Sequence, residues 1–153
     1  MSLPDDCFPC RNNAMDPTML PLRERVYDDG LWRVAHAFNS ALPGWMVIIA
    51  RRHVTSLAAL TPAEAAALGP LLRNLSRALE RILSARKAYV IFFAEAEKFP
   101  HVHIHVVPRA ADLAEEHRGP KVFALLSRPE AEWVSPAEMD RIGGEITTAM
   151  REA

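Results

Sequence analysis

Three histidines alternate with apolar residues in the second half of the chain, in the run Pro100-His101-Val102-His103-Ile104-His105-Val106-Val107-Pro108. Successive side chains on a β-strand point to opposite faces, so the run predicts a strand over residues 101–107 with all three imidazoles on one face. A rise of about 3.3 Å per residue places neighbouring imidazoles about 6.6 Å apart. The apolar face must meet a core, which leaves the histidine face to solvent, a pocket or a metal.

The residues alone leave three uses of this histidine face open. The histidines can be polar side chains on a solvated strand. Two or three of them can hold a catalytic metal, as imidazoles do in many β-sheet metalloenzymes. A neutral imidazole can also act as a nucleophile toward phosphorus, because one ring nitrogen is nucleophilic near neutral pH while a backbone carbonyl fixes the proton on the other.

The segments before this run predict a hairpin, a long helix and a further strand. Strands over residues 31–38 and 45–50 are joined by the turn residues 39–44. Thr61-Pro62-Ala63-Glu64 is typical of a helix start, and leucines at helical spacing continue that helix to about Arg86. Gly69-Pro70 should kink or break its first turns. Residues 89–93 then predict a third strand.

The last part of the chain predicts one more helix. Ser135-Pro136-Ala137-Glu138 repeats the capping pattern, and apolar residues follow at positions 139, 142, 146 and 150. Residues 1–21 predict an irregular arm, and residues 112–133 give no clear pattern, since 122–126 fit a helix or a strand. The elements predict an α+β fold with a mostly antiparallel sheet, one long helix packed on it and a C-terminal helix. We expect a single domain over 1–153, with a core of about 7–109 and an extension of 110–153.

Composition and charge limit the partners of this domain. The chain has 153 residues, half of them hydrophobic and 24% charged, with a formal net charge of −1. Such a chain has no bulk attraction to nucleic acid or to an anionic membrane, so phosphate recognition must come from a local site. No apolar stretch is long enough to span a bilayer, and the acidic, proline-rich start does not resemble a secretory signal. We therefore expect a cytoplasmic protein.

The two cysteines, Cys7 and Cys10, form a C-x-x-C pair. A disulfide scaffold needs more cysteines, and a thioredoxin-like redox motif would follow a strand, which the arm does not provide. A tetrahedral zinc site needs two further ligands beside two thiolates. The pair by itself leaves zinc binding and two reduced, unpaired thiols open.

The seven residues 101–107 resemble the signature of the histidine triad (HIT) family, His-φ-His-φ-His-φ-φ with φ apolar, at every position. The order of elements over about residues 7–109 is similar as well. The resemblance implies a HIT-like fold and a hydrolase or nucleotidyl transferase acting on nucleotide phosphoesters, phosphoanhydrides or phosphoramidates. It makes His103 the nucleophile of a covalent nucleotidyl-histidine, gives His105 a hydrogen bond to the phosphate, and places Asn39 at the ribose hydroxyls. It also implies a homodimer.

The resemblance extends to HIT proteins with an N-terminal C-x-x-C and to the related galactose-phosphate uridylyltransferases, which carry a structural zinc. It implies that the ligands here are Cys7, Cys10, His53 and His101. His101 would then be unavailable for proton transfer, and the zinc would attach the N-terminal arm to the sheet.

The sequence departs from the family in two places. Many members have a Gly-Gln-Ser or Gly-Gln-Thr run before the triad, where this chain has residues 94–100, Ala-Glu-Ala-Glu-Lys-Phe-Pro. We expect Lys98 to neutralise phosphate there and the two glutamates to be solvated. Trp45 stands where histidine is common and is expected to pack rather than react. The missing Gln-Ser or Gln-Thr run keeps open a nucleotide-binding module with little activity. The three histidines themselves keep open a metalloenzyme that uses the triad as catalytic ligands.

Overall fold

The computed structural model, which describes residues 6–95 and 100–152, contains a five-stranded antiparallel sheet with two long helices packed on one face. The elements in chain order are α1 (Phe8–Ala14), β1 (Tyr27–Asp28), β2 (Trp32–His36), β3 (Met46–Ala50), α2 (Pro62–Leu83), β4 (Ala85–Phe92), β5 (His103–Ala110) and α3 (Pro136–Arg151). The strands lie in the order β1-β2-β3-β5-β4. The predicted α+β class, with its long helix and its C-terminal helix, is confirmed.

The main core lies between the sheet and helices α2 and α3. Strand β5 is central, since it pairs with both β3 and β4. Alternate residues of the central strands point into this core, and the two helices cover them. The buried contributors include Val34, Ile48, Ile104 and Val106 from the sheet, Leu75 and Leu79 from α2, and Ile142 and Ile146 from α3. Because Ile104 faces the helices, its neighbours His103 and His105 face the other side of the sheet.

Strand β5 is shifted along the chain from its predicted position. It begins at His103, two residues later than predicted, because the paired strand β3 ends at Ala50 opposite this point. Val102 stands at the limit of this pairing, because its carbonyl accepts from Ala50 N at 3.1 Å while its N–H donates to Val54 O, beyond the end of β3, at 2.7 Å. The strand continues through Pro108 to Ala110, past the predicted end. Beyond Val106 it has only β4 beside it, so a residue without an N–H is tolerated there.

Helix α2 starts as predicted and ends earlier than predicted. The Thr61 hydroxyl accepts a hydrogen bond from Glu64 N at 3.1 Å, and Thr61 N donates back to Glu64 Oε2 at 2.8 Å. The helix runs continuously through Pro70, so of the kink or break predicted at Gly69-Pro70 the break does not occur. Pro70 is exposed, so water can bind the carbonyl that loses its partner. Ser84, with φ of 52°, ends the helix before the predicted Arg86 and leads directly into β4.

Several other boundaries differ from the predictions. The arm 1–21, predicted to be irregular, contains α1, whose first turn accommodates Pro9 because no helical hydrogen bond is lost there. Strand β4 begins four residues before the predicted 89. The unassigned segment 112–133 forms short 3₁₀ turns, one of which is Gly119–Leu126. Among the described residues, no helix combines the length and apolar character needed to cross a membrane.

Candidate active site and metal cluster

A cavity of about 530 Å³ lies on the sheet face opposite α2 and α3. Strand pairing sets Val47 opposite His105 and Ile49 opposite His103, which places both histidines in the cavity floor. Small and apolar residues of β2 and β3 lie beside them. Aromatic side chains from outside the sheet form part of its walls. Wall and rim residues include Phe8 from α1, Phe38 and Asn39 from the turn after β2, Phe93, and Phe123 from Gly119–Leu126.

The hydrogen bond of His103 fixes which ring nitrogen carries its proton. His103 Nδ1 lies 2.7 Å from the carbonyl oxygen of His101, and a carbonyl only accepts hydrogen bonds. Nδ1 therefore carries the proton in the neutral ring, and Nε2 carries the lone pair. Within the described part of the chain Nε2 has no hydrogen-bond partner, and the side chain lines the cavity. An imidazole held this way can act as a nucleophile through Nε2.

His105 has the opposite tautomer. The indole Nε1–H of Trp45 donates to His105 Nδ1 at 3.0 Å, and indole has a donor and no acceptor. Nδ1 therefore carries the lone pair, and Nε2 carries the proton. Burial lowers the pKa of His105 to about 4, and the nearby charge of His103 adds to the effect. At neutral pH the side chain is an uncharged hydrogen-bond donor.

The two imidazoles lie side by side, with ring centroids 5.2 Å apart and ring planes at 82°. One offers a lone pair and the other an N–H to the same cavity. Such a pair can approach a phosphorus atom and one of its oxygens together.

The remaining predicted nucleotide contacts lie partly at the cavity rim. Asn39 is half-buried there, and its amide makes no hydrogen bond to any described residue. The strand predicted over residues 31–38 ends at His36, and Asn39 lies in the turn that follows it, as predicted. Glu95 is exposed and also lines the cavity. Lys98 and Glu97 lie outside the described residues.

His36, for which no sequence pattern predicted a role, holds the turn that carries Asn39. Its Nδ1 donates to Ala37 O at 2.9 Å, and Gly44 N donates to its Nε2 at 2.9 Å. Burial lowers the pKa of His36, so the ring stays neutral and can accept the Gly44 bond. The buried histidine thus joins the two ends of the turn between β2 and β3.

The four residues predicted as metal ligands come together beside this cavity. One ligand atom from each of Cys7, Cys10, His53 and His101 lies within 4.8 Å of all the others. Cys10 Sγ lies 3.2 Å from His53 Nδ1, and His101 Nδ1 lies 3.3 Å from His53 Nδ1 and 3.4 Å from Cys7 Sγ. The ligand distances of tetrahedral zinc give edges of about 3.3–3.8 Å between ligand atoms. The cluster therefore fits a tetrahedral metal ion with two thiolates and two imidazoles.

Hydrogen bonds behind the cluster orient its buried histidine. His101 Nε2 donates to Ala50 O at 2.6 Å, which leaves Nδ1 unprotonated toward the cysteines. Asn13 Nδ2 donates to the same carbonyl at 3.0 Å, and Arg33 Nε donates to Asn13 Oδ1 at 2.8 Å. Bonds of this kind to a ligating histidine fix its tautomer and ring orientation. No sequence pattern predicted a role for Asn13 or Arg33. The only signals were the position of Asn13 near the C-x-x-C pair and that of Arg33 in a buried strand.

Comparison with known proteins identifies the family of this fold. The model of the HIT domain family matches residues 23–112. Bis(5'-nucleosyl)-tetraphosphatase (asymmetrical) of Schizosaccharomyces pombe is 33% identical over 78 residues, 48% of this chain and 43% of that protein. The match thus spans less than half the length of this curated relative.

Solved structures share this fold, and two of them illustrate the likeness. A Zn-bound histidine triad family protein from Mycobacterium smegmatis has a TM-score of 0.65 and 17% identity, covering 98% of this chain and 96% of that chain. A Hit-like protein involved in cell-cycle regulation from Bartonella henselae has a TM-score of 0.65 and 16% identity, covering 86% of this chain and 88% of that chain.

Proposed function

The chain belongs to the HIT family, and we propose that it is a nucleotide hydrolase or nucleotidyl transferase acting through a covalent nucleotidyl-histidine on His103. The observation that carries this proposal is the pair of opposite tautomers, His103 with a lone pair on Nε2 and His105 with a proton on Nε2, in one cavity. A nucleophile beside a hydrogen-bond donor suits displacement at phosphorus.

In the proposed reaction, His103 Nε2 attacks the phosphorus of the nucleotide. The N–P bond forms while the P–O or P–N bond to the leaving group breaks, and the leaving group keeps that electron pair and takes a proton from water. Positive charge develops on the imidazole, and the carbonyl of His101, 2.7 Å from Nδ1, stabilises it. His105 Nε2–H donates to a phosphate oxygen. An oxygen of water, or of another acceptor, then bonds to phosphorus as the N–P bond breaks and its electron pair returns to His103 Nε2. The proton of the acceptor passes to solvent. Water yields the nucleoside phosphate, and another acceptor yields its nucleotidyl ester.

The remaining nucleotide contacts are assigned by family resemblance. We propose that Asn39 binds the ribose hydroxyls from the rim and that Lys98 binds phosphate. The Schizosaccharomyces pombe relative is named for cleavage of a dinucleoside tetraphosphate, which supports phosphoanhydrides as the first substrates to test. Phosphoramidates follow, because the same attack on phosphorus expels an amine.

Trapping of the intermediate tests this proposal. The protein is incubated with a dinucleoside polyphosphate and, separately, with a nucleoside phosphoramidate, then digested without acid and examined by mass spectrometry. We expect an acid-labile nucleotidyl adduct on His103 and none in His103→Ala. His117→Ala, which removes a histidine outside the cavity lining, should keep both adduct and turnover. Unchanged turnover in His103→Ala would reject the mechanism, and calorimetric nucleotide binding without turnover on either substrate would favour the binding-module alternative.

We propose that the cysteine–histidine cluster holds a structural zinc. Four protein ligands close a tetrahedral site and leave no position for substrate, so the ion would organise the arm rather than react. Metal analysis should find one zinc per chain, retained in His103→Ala and lost in Cys7→Ala. The reverse pattern would support the triad as catalytic ligands. Two thiolates held in this way also favour the reducing cytoplasm as the protein's location.

We further propose a homodimer formed through strand β4. This strand lies at one edge of the described sheet, and Val90 and Phe93 beside that edge are 49% and 63% exposed. A long edge strand with exposed apolar side chains tends to pair with another strand. Light scattering should give twice the monomer mass, and Val90→Lys should shift the protein to monomer. A monomeric wild type would contradict this assignment.

A further inference from the structure

Trp45 contacts the proposed phosphate-binding histidine directly. It follows the Pro43-Gly44 turn, immediately before β3, and is fully buried. Its Nε1 lies 3.0 Å from His105 Nδ1, and the two rings meet edge to face with centroids 5.7 Å apart. The bond can run in only one direction, because indole nitrogen always donates.

A second aromatic side chain, Phe123, also packs against His105. Phe123 lies with its ring centroid 5.2 Å from that of His105 and 5.5 Å from that of Trp45. These edge-on contacts restrict tilting of the imidazole but do not select a tautomer, since phenyl rings form no comparable bond to Nδ1. Among the described residues, tautomer selection therefore depends on the indole N–H of Trp45.

We infer that Trp45 is a positioning residue for the proposed phosphoryl transfer, whose indole N–H holds His105 in the tautomer that presents Nε2–H to a phosphate oxygen. This inference rests on the proposed function of His103 and His105. It assigns Trp45 a role beyond packing, at a position where the sequence departs from the histidine common in the family. Without the indole donor, the proton of His105 can move to Nδ1. Nε2 then presents a lone pair, instead of an N–H, to an anionic phosphate oxygen.

Trp45→Phe removes the donor and keeps an aromatic ring. We expect kcat to fall about 10- to 100-fold with little change in KM. This loss is smaller than that caused by removing a whole oxyanion donor, because the N–H of His105 remains but is no longer held in position. Trp32→Phe is the matched control. Trp32 is also fully buried and donates its indole N–H to Glu64 O at 2.9 Å, but it packs in the core on the opposite face of the sheet. Its replacement should leave kcat unchanged once the protein is folded.

Nitrogen-15 NMR reports which ring nitrogen of His105 carries the proton, and this would not change in Trp45→Phe if Trp45 only packed. In the wild type we expect an unprotonated, hydrogen-bonded Nδ1 and a protonated Nε2, and in Trp45→Phe a mixture of tautomers. Trp32→Phe should retain the wild-type pattern. The wild-type spectrum needs no variant, so it tests the inference even if Trp45→Phe fails to fold.

The outcomes separate this inference from the proposed function. A protonated Nδ1 on His105 in the wild type overturns the role of Trp45 whether or not the protein is active. Full kcat in a folded Trp45→Phe overturns it as well. Absence of any His103 adduct in the wild type, with the expected tautomers present, overturns the proposed function and leaves the tautomer assignment intact.

Discussion

Burial of a neutral His105 should make the folded protein less stable in mildly acidic solution. Folding lowers the pKa of this side chain from 6.5 to about 4, by burial first and by the charge of His103 second. Between these two pKa values the unfolded chain binds a proton that the folded protein does not. Stability therefore rises with pH through this window, is complete above about pH 6.5, and is lost as the pH falls below it.

The size of this loss follows from the two pKa values, 6.5 unfolded and about 4 folded. At about pH 5 nearly all unfolded molecules are protonated at this site and few folded ones are, which lowers the free energy of unfolding by about 2 kcal/mol relative to about pH 7.5. Urea unfolding at the two pH values measures the total change. His36, whose pKa burial also lowers, acts in the same direction, and the metal ligands are acid-sensitive too.

His105→Gln isolates the contribution of this one side chain. Glutamine is polar but does not titrate, while His36 and the metal ligands are the same in both proteins. Between about pH 7.5 and about pH 5 the wild type should lose about 2 kcal/mol more than His105→Gln. Equal losses in the two proteins would refute the reasoning, because His105 would then have the same proton affinity folded and unfolded.

Three further predictions concern the metal, the start of α2 and the packing of α3. A chelator should lower Tm and raise KM for nucleotide, because Phe8, which lies between the two cysteines in the sequence, lines the cavity. Cys7→Ser should reproduce both changes, whereas an unchanged KM would show that the arm does not shape the cavity. Glu64→Gln should cost about 1 kcal/mol in urea unfolding, because it weakens the capping box with Thr61 and the Arg52 ion pair at 2.9 Å. Gly144→Ala should stabilise α3 by about 0.5–1 kcal/mol, since among the described residues the new Cβ would meet only Leu22 Cδ1, at 3.8 Å. Gly143→Ala should be clearly less stable than Gly144→Ala, because its Cβ would meet Leu22 O at 3.3 Å, and equal stabilities would contradict that packing.

Local patterns predicted the parts of the fold that local forces determine. The Thr61–Glu64 pattern predicted the start of α2, since both partners of its capping bonds lie within four residues. The alternation of histidines predicted which side of β5 His103 and His105 occupy. It did not predict where the strand begins, because that depends on β3 ending at Ala50, far away in sequence.

The role of Trp45 needed information that its own neighbourhood does not contain. Its size predicts burial, and it is buried. Its donor matters only because pairing of Val47 with His105 brings the start of β3 beside the last histidine of the triad. The position of the wall residue Phe123 was not predicted either, because residues 122–126 fit a helix as well as a strand, whereas the structure has a 3₁₀ segment there. Hydrophobic periodicity does not predict contacts that are set by sheet register or by irregular segments of the chain.

The start of β5 at His103 rather than His101 allows a metal ligand and a nucleophile to lie two residues apart. If His101 and His103 lay on one face of a regular strand, their rings would point the same way. A metal bound to His101 would then compete with substrate for His103. Outside the ladder, His101 instead directs Nδ1 to the cysteines, Nε2–H to Ala50 O and its carbonyl to His103 Nδ1. A metal that holds the His101 ring therefore also holds the carbonyl that fixes the tautomer of His103. Loss of the metal should consequently weaken the nucleophile as well as release Phe8 from the cavity wall.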